Sequence, residues 1–153
     1  VLAAVISGFL PWNFPRAKIF MGDSGSGFLG ISLGLLIVTT GALGVLSLWS
    51  WIILLAVFIT DASWTLIYRF ATGQAWNEPH RSHAYQRISQ ACKSHTKVTL
   101  GVTFINILWL LPLAWLAQNS SNALYFTALA YLPLLLVCKK VNAGSLKPVC
   151  KAT

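Results

Sequence analysis

Long uncharged segments constrain this chain more than any other feature of its sequence. Residues 27–46 contain no charged side chain, and about 20 residues of helix rise roughly 30 Å, the thickness of the hydrocarbon core of a bilayer. Of the 153 residues, 56% are hydrophobic and only 9% are charged, whereas a soluble domain carries about 25% charged residues. The sequence therefore predicts an integral membrane protein.

Four long apolar segments follow one another, separated by polar connections, and among them only the second contains a charged residue, Asp61. The predicted spans are 27–46, 51–68, 98–116 and 123–138. The apolar run 1–10 before them has neither an initiating Met nor a basic flank, so it does not resemble a signal peptide. We interpret it as the end of a membrane helix that Pro11 and Pro15 terminate. The predicted fold is an all-α polytopic transmembrane helical bundle, with four full spans plus the end of a truncated N-terminal span.

The basic residues all lie on one side of this topology. With four spans, the loop before residue 27, the loop 69–97 and the tail 139–153 face the same side, and the opposite turns contain no Lys or Arg. Cytoplasmic loops are enriched in Lys and Arg, so this side is predicted to be the cytoplasmic face of the inner (plasma) membrane. Topology and attraction to anionic membrane lipids explain the net charge of +8 without a nucleic-acid partner.

One acid lies among small residues where the first polar loop enters the first span. The segment reads Met21-Gly22-Asp23-Ser24-Gly25-Ser26-Gly27. We expect Asp23 in the turn just before the helix, with Ser24 and Ser26 capping it and the first N–H groups forming an anion site. A carboxylate for a metal beside donors for phosphate suits phosphoryl chemistry. The alternative interpretation is a helix N-cap rich in turn residues.

Asp61 is placed inside the second predicted span, about two helical turns before Arg69. A carboxylate in a membrane helix costs on the order of 2.5–3.5 kcal/mol on insertion scales, and such residues usually face a polar cavity or a partner. On a helix, Asp61, Thr65 and Tyr68 share a face that leads toward the cytoplasmic side. This placement predicts a functional acid, and the alternative is an interfacial acid that snorkels or pairs with Arg69.

The longest polar loop is dense in side chains that bind phosphate. It contains Glu78-Pro79-His80-Arg81-Ser82-His83-Ala84-Tyr85-Gln86-Arg87. If a helix begins near Ser82, His83 and Arg87 lie at i and i+4 on one face, where they can grip a pyrophosphate. The alternative is a basic loop attracted to anionic headgroups, which needs Arg but not clustered His. A zinc site is discounted, because no third soft ligand lies nearby.

These three segments, in this order and separated by membrane helices, resemble the C-terminal half of the polyprenyl-phosphate N-acetylhexosamine-1-phosphate transferases. This glycosyltransferase-4-like superfamily includes the peptidoglycan phospho-N-acetylmuramoyl-pentapeptide transferase. The resemblance covers about residues 1–138 as a membrane-embedded transferase domain, and 139–153 would be a basic cytoplasmic tail. It implies that a polyprenyl phosphate, such as undecaprenyl phosphate, accepts a sugar phosphate from a UDP-N-acetylhexosamine with release of UMP. A homo-oligomer is compatible with the sequence.

The resemblance also implies roles for individual residues. Asp23 matches a Mg²⁺ ligand of the family, and the segment from His83 to Arg87 matches its nucleotide-sugar site, so Asp23 and His83 are the expected catalytic residues. Mg²⁺ suits this role because it takes hard oxygen ligands and bridges substrate phosphates. The residues expected to bind substrate are Ser24, Gly25, Ser26, Asp61, Arg69, His80, Arg81 and Arg87.

The chain departs from the family at two points. It has His83-Ala84-Tyr85-Gln86 where the family often has His-x-His-His, which favours the branch acting on O-antigen or other surface-polysaccharide precursors over the peptidoglycan branch. The family's upstream acidic motifs have no match and would lie before Val1, so the chain alone is expected to hold half of an active site and to be inactive. The alternative from another class is a membrane transporter or lipid-binding module with Asp61 as an ion or proton site.

We expect Asp23, Arg69, His83 and Arg87 all to lie on the cytoplasmic side. In a cysteine-free background, Asp23→Cys and His83→Cys should react with a membrane-impermeant thiol reagent in inverted vesicles but not in intact cells. Ser121→Cys, in the uncharged turn between the last two spans, should show the opposite pattern. Labelling of position 23 or 83 from outside would refute the topology.

Overall fold

The computed structural model describes residues 1–15, 17–74 and 82–145, and within these ranges the only regular secondary structure is helical. This confirms the predicted all-α class. The chain divides into two compact units, Val1–Val45 and Leu46–Thr153, and each is described on its own.

The first unit contains two helices, α1 (Leu2–Asn13) and α2 (Gly22–Ala42). The sequence predicted that Pro11 and Pro15 together would end α1; the helix continues through Pro11 and ends two residues before Pro15. It ends at Asn13 because Phe14 is extended, with φ −129° and ψ 138°, as the residue before a proline usually is. Helix α2 begins five positions before the predicted span, and none of its 21 residues is buried.

Among the described residues, three helical segments are long and apolar enough to cross a membrane, in agreement with a multi-pass protein. They are Gly22–Ala42, His95–Gln118 and Ala123–Lys140. A fourth span is present if the bent pair α3 (Leu48–Leu54) and α4 (Ala56–Ala71) counts as one. The predicted spans correspond to these segments, with ends that differ by a few residues.

The second span is broken where a continuous helix was predicted. The axes of α3 and α4 differ by 73°, and Leu55 between them has φ −92° and ψ 5°. Residues 48–71 contain no Pro or Gly, so the sequence gives no local signal for the break. The hydroxyl of Tyr131 donates to the carbonyl of Ile52 at 3.0 Å. A side chain from another helix thereby satisfies one of the last carbonyl groups of α3.

The third span also deviates from a plain α-helix. It consists of α6 (His95–Ile105), a π-helical turn at Asn106–Leu110, and α7 (Leu111–Gln118). Pro112 lies two positions after the turn and cannot donate to the carbonyl of Leu108, as an uninterrupted α-helix would require. Isolated π-turns of this kind often mark functional sites.

The core of the second unit forms where α3 packs against α7 and α8 (Ala123–Lys140), and α4 packs against α8. Ile53, Ala56, Leu110 and Ala130 are fully buried there. Outside this core, most large apolar side chains of the helices remain exposed. Such surfaces suit helices surrounded by lipid, whose hydrocarbon tails are as apolar as Leu.

A polar cluster ties the start of α3 to the end of α7. The side-chain carbonyl of Gln118 accepts from the backbone N–H of Ser47 at 2.7 Å and lies 3.1 Å from the Ser50 hydroxyl. That hydroxyl also donates to the carbonyl of Ala114 at 3.0 Å, and Ser50 is fully buried. Because Ser50 is fully buried, no water can replace its partners, and the cluster holds the start of α3 against the end of α7.

Replacing Gln118 by Ala should therefore destabilise the second unit, by about 1–3 kcal/mol for polar groups left without a partner. Equilibrium unfolding in detergent micelles measures this loss. Gln90→Ala, which makes the same change on the exposed side of α5 (Ala84–Cys92), is the control and should change stability by less than about 0.5 kcal/mol. Equal effects of the two variants would contradict the role of the cluster.

Candidate functional site

The Asp61 carboxylate on α4 caps the beginning of α5. Its Oδ1 atom accepts from the backbone N–H of Ala84 at 2.7 Å, and its Oδ2 atom lies 3.5 Å from the N–H of Tyr85. The Thr65 hydroxyl, one turn further along α4, donates to Oδ1 at 3.4 Å. The first N–H groups of a helix have no partner within the helix and attract negative charge. Asp61 supplies both the acceptor and the charge.

The structure gives Asp61 a partner that the sequence did not identify, the first N–H groups of α5, and its role as a functional acid stays a prediction. The carboxylate does not simply snorkel to the surface, because its side chain is only 13% exposed, and it serves backbone donors of another helix. A carboxylate engaged by N–H donors is a poor ion or proton carrier. The geometry therefore gives no support to the alternative of a transporter with Asp61 as its ion site.

His83 is the N-cap residue of α5 and lies directly beside Asp61. Its Nδ1 atom is 3.6 Å from Asp61 Oδ1, and its side chain is 30% exposed. Its backbone N–H donates to the side-chain carbonyl of Gln86 at 3.4 Å, which completes a capping arrangement. The imidazole also stacks on the Tyr85 ring at 6.0 Å between centroids. The predicted helix start near Ser82 is confirmed, and His83 keeps an accessible side chain.

Arg87 is one turn further along α5, as the predicted i and i+4 spacing requires, but its side chain is used differently. The guanidinium donates from Nε to the carbonyl of Val141 and from Nη1 to that of Ser145, each at 2.8 Å, and the residue is buried. These carbonyls follow the end of α8, where the helix dipole favours a cation. The expected binding of a pyrophosphate by His83 and Arg87 together is therefore not supported, because the Arg87 guanidinium is bound to backbone carbonyls of the protein.

The other predicted ligands of this region divide into two groups. Arg69 is in the last turn of α4 and is only 4% exposed, so its burial does not favour direct contact with a substrate. His80 and Arg81 lie outside the described residues.

The domain boundary predicted after Cys138 stays a prediction, although residues 143–145 of the expected tail are buried in the second unit.

Asp23 belongs to the first unit and lies within the first turn of α2, not in the turn before the helix. The predicted capping by Ser24 and Ser26 is wrong. Met21 is the N-cap residue, with no side-chain cap, and the Ser26 hydroxyl donates to the carbonyl of Asp23 at 3.1 Å. An acid in the first turn is favoured by the dipole of the helix even when it does not cap it.

The exposed Asp23 carboxylate offers oxygen ligands of the kind that hard cations take. The described residues contain no group of three or more His, Cys, Asp or Glu side chains that could hold a metal together. Mg²⁺ does not need such a cage, because it keeps several waters and uses one or two carboxylates plus substrate phosphates. Asp23 is exposed at the start of its helix and fits that mode of binding.

A groove of about 590 Å³ adjoins His83 and Asp61, which both line it together with Tyr85. Its walls come from α3, α4, α6 and the π-helical turn, and include Leu54, Phe58, Val98, Val102, Thr103 and Asn106. The walls are mostly apolar, with hydroxyl and amide groups on the α6 side. The sequence analysis missed Asn106, for which the available signal was a single amide within an apolar span.

If Asp61 holds the start of α5, Asp61→Ala should free the N–H groups of Ala84 and Tyr85. Hydrogen exchange of these amides should accelerate on the order of ten- to a hundredfold, because hydrogen bonds to charged groups are worth about 1.5–3 kcal/mol. Asp61→Asn, which retains one acceptor oxygen, should have an intermediate effect. Asp23→Ala, an exposed acid in the other unit, should change nothing at these positions. Unchanged exchange in Asp61→Ala would refute the capping role.

The chain is similar in sequence to a described protein family and to several known proteins. Residues 1–41 match the family described as glycosyl transferase family 4. The chain is 38% identical over 113 residues to a decaprenyl-phosphate N-acetylglucosaminephosphotransferase of Mycolicibacterium smegmatis, covering 65% of this chain and 28% of the relative. It is 35% identical over 133 residues to the protein of that name from Mycobacterium tuberculosis, covering 78% and 32%.

A third relative comes from a different organism. The chain is 37% identical over 112 residues to a probable undecaprenyl-phosphate N-acetylglucosaminyl 1-phosphate transferase of Bacillus subtilis, covering 71% of this chain and 31% of the relative. The chain thus spans 28–32% of the length of these relatives. No solved structure matches it.

Proposed function

The chain belongs to the glycosyltransferase-4-like superfamily of polyprenyl-phosphate N-acetylhexosamine-1-phosphate transferases, and on this premise we propose that it takes part in the transfer of N-acetylhexosamine-1-phosphate to a polyprenyl phosphate. The donor is a UDP-N-acetylhexosamine and the acceptor is undecaprenyl phosphate or a related lipid. The observation that carries the proposal is identity of 35–38% to transferases of that name over 65–78% of the chain.

In this reaction the sugar phosphate is transferred from the nucleotide of the donor to the phosphate of the lipid. An oxygen of the lipid phosphate forms a bond to the β-phosphorus of the donor, and the bond from that phosphorus to the oxygen bridging to the α-phosphate breaks. UMP leaves with that oxygen, and the product is a lipid-linked sugar pyrophosphate. The protein has little covalent chemistry to perform, so its contribution is to position both substrates and to stabilise negative charge.

Asp23 is the residue that would hold Mg²⁺ in this reaction. When bound, the ion neutralises charge on the phosphate oxygens and fixes their arrangement. The backbone N–H groups at the start of α2, up to that of Ser24, have no partner within the helix, and their direction suits a phosphate, whereas those of Gly25 and Ser26 bond within the helix. The exposed carboxylate at the beginning of α2 supports this assignment.

His83 and the groove beside it, which both belong to the second unit, would bind the substrates. The imidazole, 30% exposed next to Asp61, would donate to the phosphates of the donor or to the charge that develops on them. The groove of about 590 Å³ would take the first isoprene units of the acceptor, because its walls are mostly aliphatic and its polar end lies at His83. The accessibility of His83 and the chemistry of the walls support both assignments.

We place this active face on the cytoplasmic side of the inner membrane, because all basic residues fall on that side of the predicted topology. The segment His83-Ala84-Tyr85-Gln86 keeps one histidine of the family pattern. We therefore assign the product to surface-polysaccharide precursors, such as those of O-antigen in lipopolysaccharide, and not to peptidoglycan.

The proposal is tested with purified full-length protein, a polyprenyl phosphate, Mg²⁺ and a panel of UDP-N-acetylhexosamines. We expect a lipid-linked product and stoichiometric UMP. Asp23→Asn should abolish turnover, with partial rescue by raised Mg²⁺ or by Mn²⁺, because Asn keeps the size but not the charge that a hard cation requires. His83→Ala should lower the rate by on the order of 10²–10³ at every metal concentration.

Two outcomes would contradict these assignments separately. If the wild-type protein forms no lipid-linked product from any donor, the proposed reaction is wrong. If folded Asp23→Asn retains near-normal turnover, Asp23 is only an acid in a helix start and the metal is held elsewhere. Thermal unfolding of each variant is the control, since Asn is tolerated well at helix starts.

A further inference from the structure

The turn that follows α8 is held to α5 by hydrogen bonds at two places. The backbone N–H of Gly144 donates to the carbonyl of Ser82 at 2.8 Å, immediately before the N-cap residue His83. One helical turn further on, the Arg87 guanidinium donates to the carbonyls of Val141 and Ser145. The turn, residues 141–145, thus holds α5 both before its first residue and inside its first full turn.

Backbone groups on both sides of His83 are therefore fixed. On one side the carbonyl of Ser82 is held by Gly144, and on the other the N–H of Ala84 is held by Asp61 at 2.7 Å. With the flanking peptide groups held, the remaining freedom of His83 is that of its side chain. A group positioned in advance in this way need not be ordered during the reaction.

The turn is tightly packed against α4 at the same place. Gly144 has φ +86°, and a Cβ atom built on it would lie 2.8 Å from Cδ1 and 2.9 Å from Cβ of Tyr68. There is accordingly no room for any side chain at position 144. Ala143 and Ser82 are also buried, and a displacement of Gly144 acts on the segment that carries His83 through the hydrogen bond to the Ser82 carbonyl.

We propose that the turn 141–145 is the positioning element of the candidate active site, in which Gly144 and Arg87 act through Ser82 and α5 to place His83 beside Asp61. Neither residue touches substrate in this role. The inference rests on the proposed function for its kinetic consequences, whereas its structural consequences are independent of it. It also gives Arg87 a role in place of the pyrophosphate contact that the sequence predicted.

The test compares Gly144→Ala with Gly73→Ala in the full-length protein. Gly73 also has positive φ, +67°, but a Cβ there meets nothing within 4 Å, so the control carries the same backbone strain without the clash. We expect Gly144→Ala to lower kcat by on the order of 10²-fold, the cost of misplacing a group by about 1 Å. The KM for polyprenyl phosphate should stay unchanged, and amide exchange at Ala84 and Tyr85 should accelerate.

Removing the clash should restore activity. In Gly144→Ala with Tyr68→Gly, all three Tyr68 atoms that the new methyl group meets, Cβ included, are absent, so kcat should recover toward that of Tyr68→Gly alone. A kcat of Gly144→Ala within about twofold of Gly73→Ala, or unchanged exchange at Ala84 and Tyr85, would overturn the proposal.

Arg87→Lys provides a second route if Gly144→Ala does not fold. Lysine keeps the charge but lacks the fork that reaches two carbonyls, so we expect faster exchange at Ala84 and Tyr85 and a lower kcat. A raised KM for the UDP-sugar with unchanged exchange would instead mark Arg87 as a phosphate ligand and overturn the proposal. If the wild-type protein has no transferase activity, the proposed function fails while the exchange measurements still decide the role of the turn.

Discussion

The contact between the Asp61 carboxylate and the first N–H groups of α5 is the interaction on which the candidate site depends. A carboxylate on a membrane-spanning helix must find donors, and a helix that begins beside that span must find acceptors. In this chain the two requirements satisfy each other, at 2.7 Å between Asp61 Oδ1 and the N–H of Ala84. The position of His83 follows, because it is the residue between the polar loop and the capped helix.

The end of α8 is stabilised in the same way, but by a positively charged side chain. Arg87 donates to carbonyls that follow α8, so a cation from α5 stabilises the negative end of a neighbouring helix while an anion from α4 stabilises the positive end of α5. Both charges serve backbone groups. Charged residues are only 9% of this chain. Asp61 and Arg87 are two of them, and each holds one helix against another.

How far the sequence could predict this arrangement depended on whether the determining contact was local. The spans and the start of α5 were predictable, because apolar length and a capping residue act within a few positions. The partner of Arg87 was not, since Val141 is 54 positions away. The break at Leu55 likewise has no local cause, and the contact seen beside it is made by Tyr131 on another helix.

Asp23 shows a different limit of sequence analysis. Its segment is rich in Gly and Ser, which favour turns and caps, yet α2 begins at Gly22 and includes the whole segment. The apolar run that follows is long enough to extend the helix backward through weak helix formers, since context routinely overrides intrinsic propensity. Asp23 lies near the start of the helix, but in its first turn and not in the turn before it, and its chemical role stays a prediction.

The π-helical turn at Asn106–Leu110 affects how this chain can vary in length. A turn with i→i+5 bonds contains one residue more than the α-helical turn it replaces, so removing one residue there would yield a plain α-helix. Each residue of an α-helix advances the side chains by about 100° around the axis. Such a deletion would turn the α6 face carrying Val98, Val102 and Thr103 away from the groove, unless α7 rotated instead and lost its packing. The register of this span is therefore specified by one extra residue, and deleting one of residues 107–110 would change the groove wall without removing any side chain that lines it.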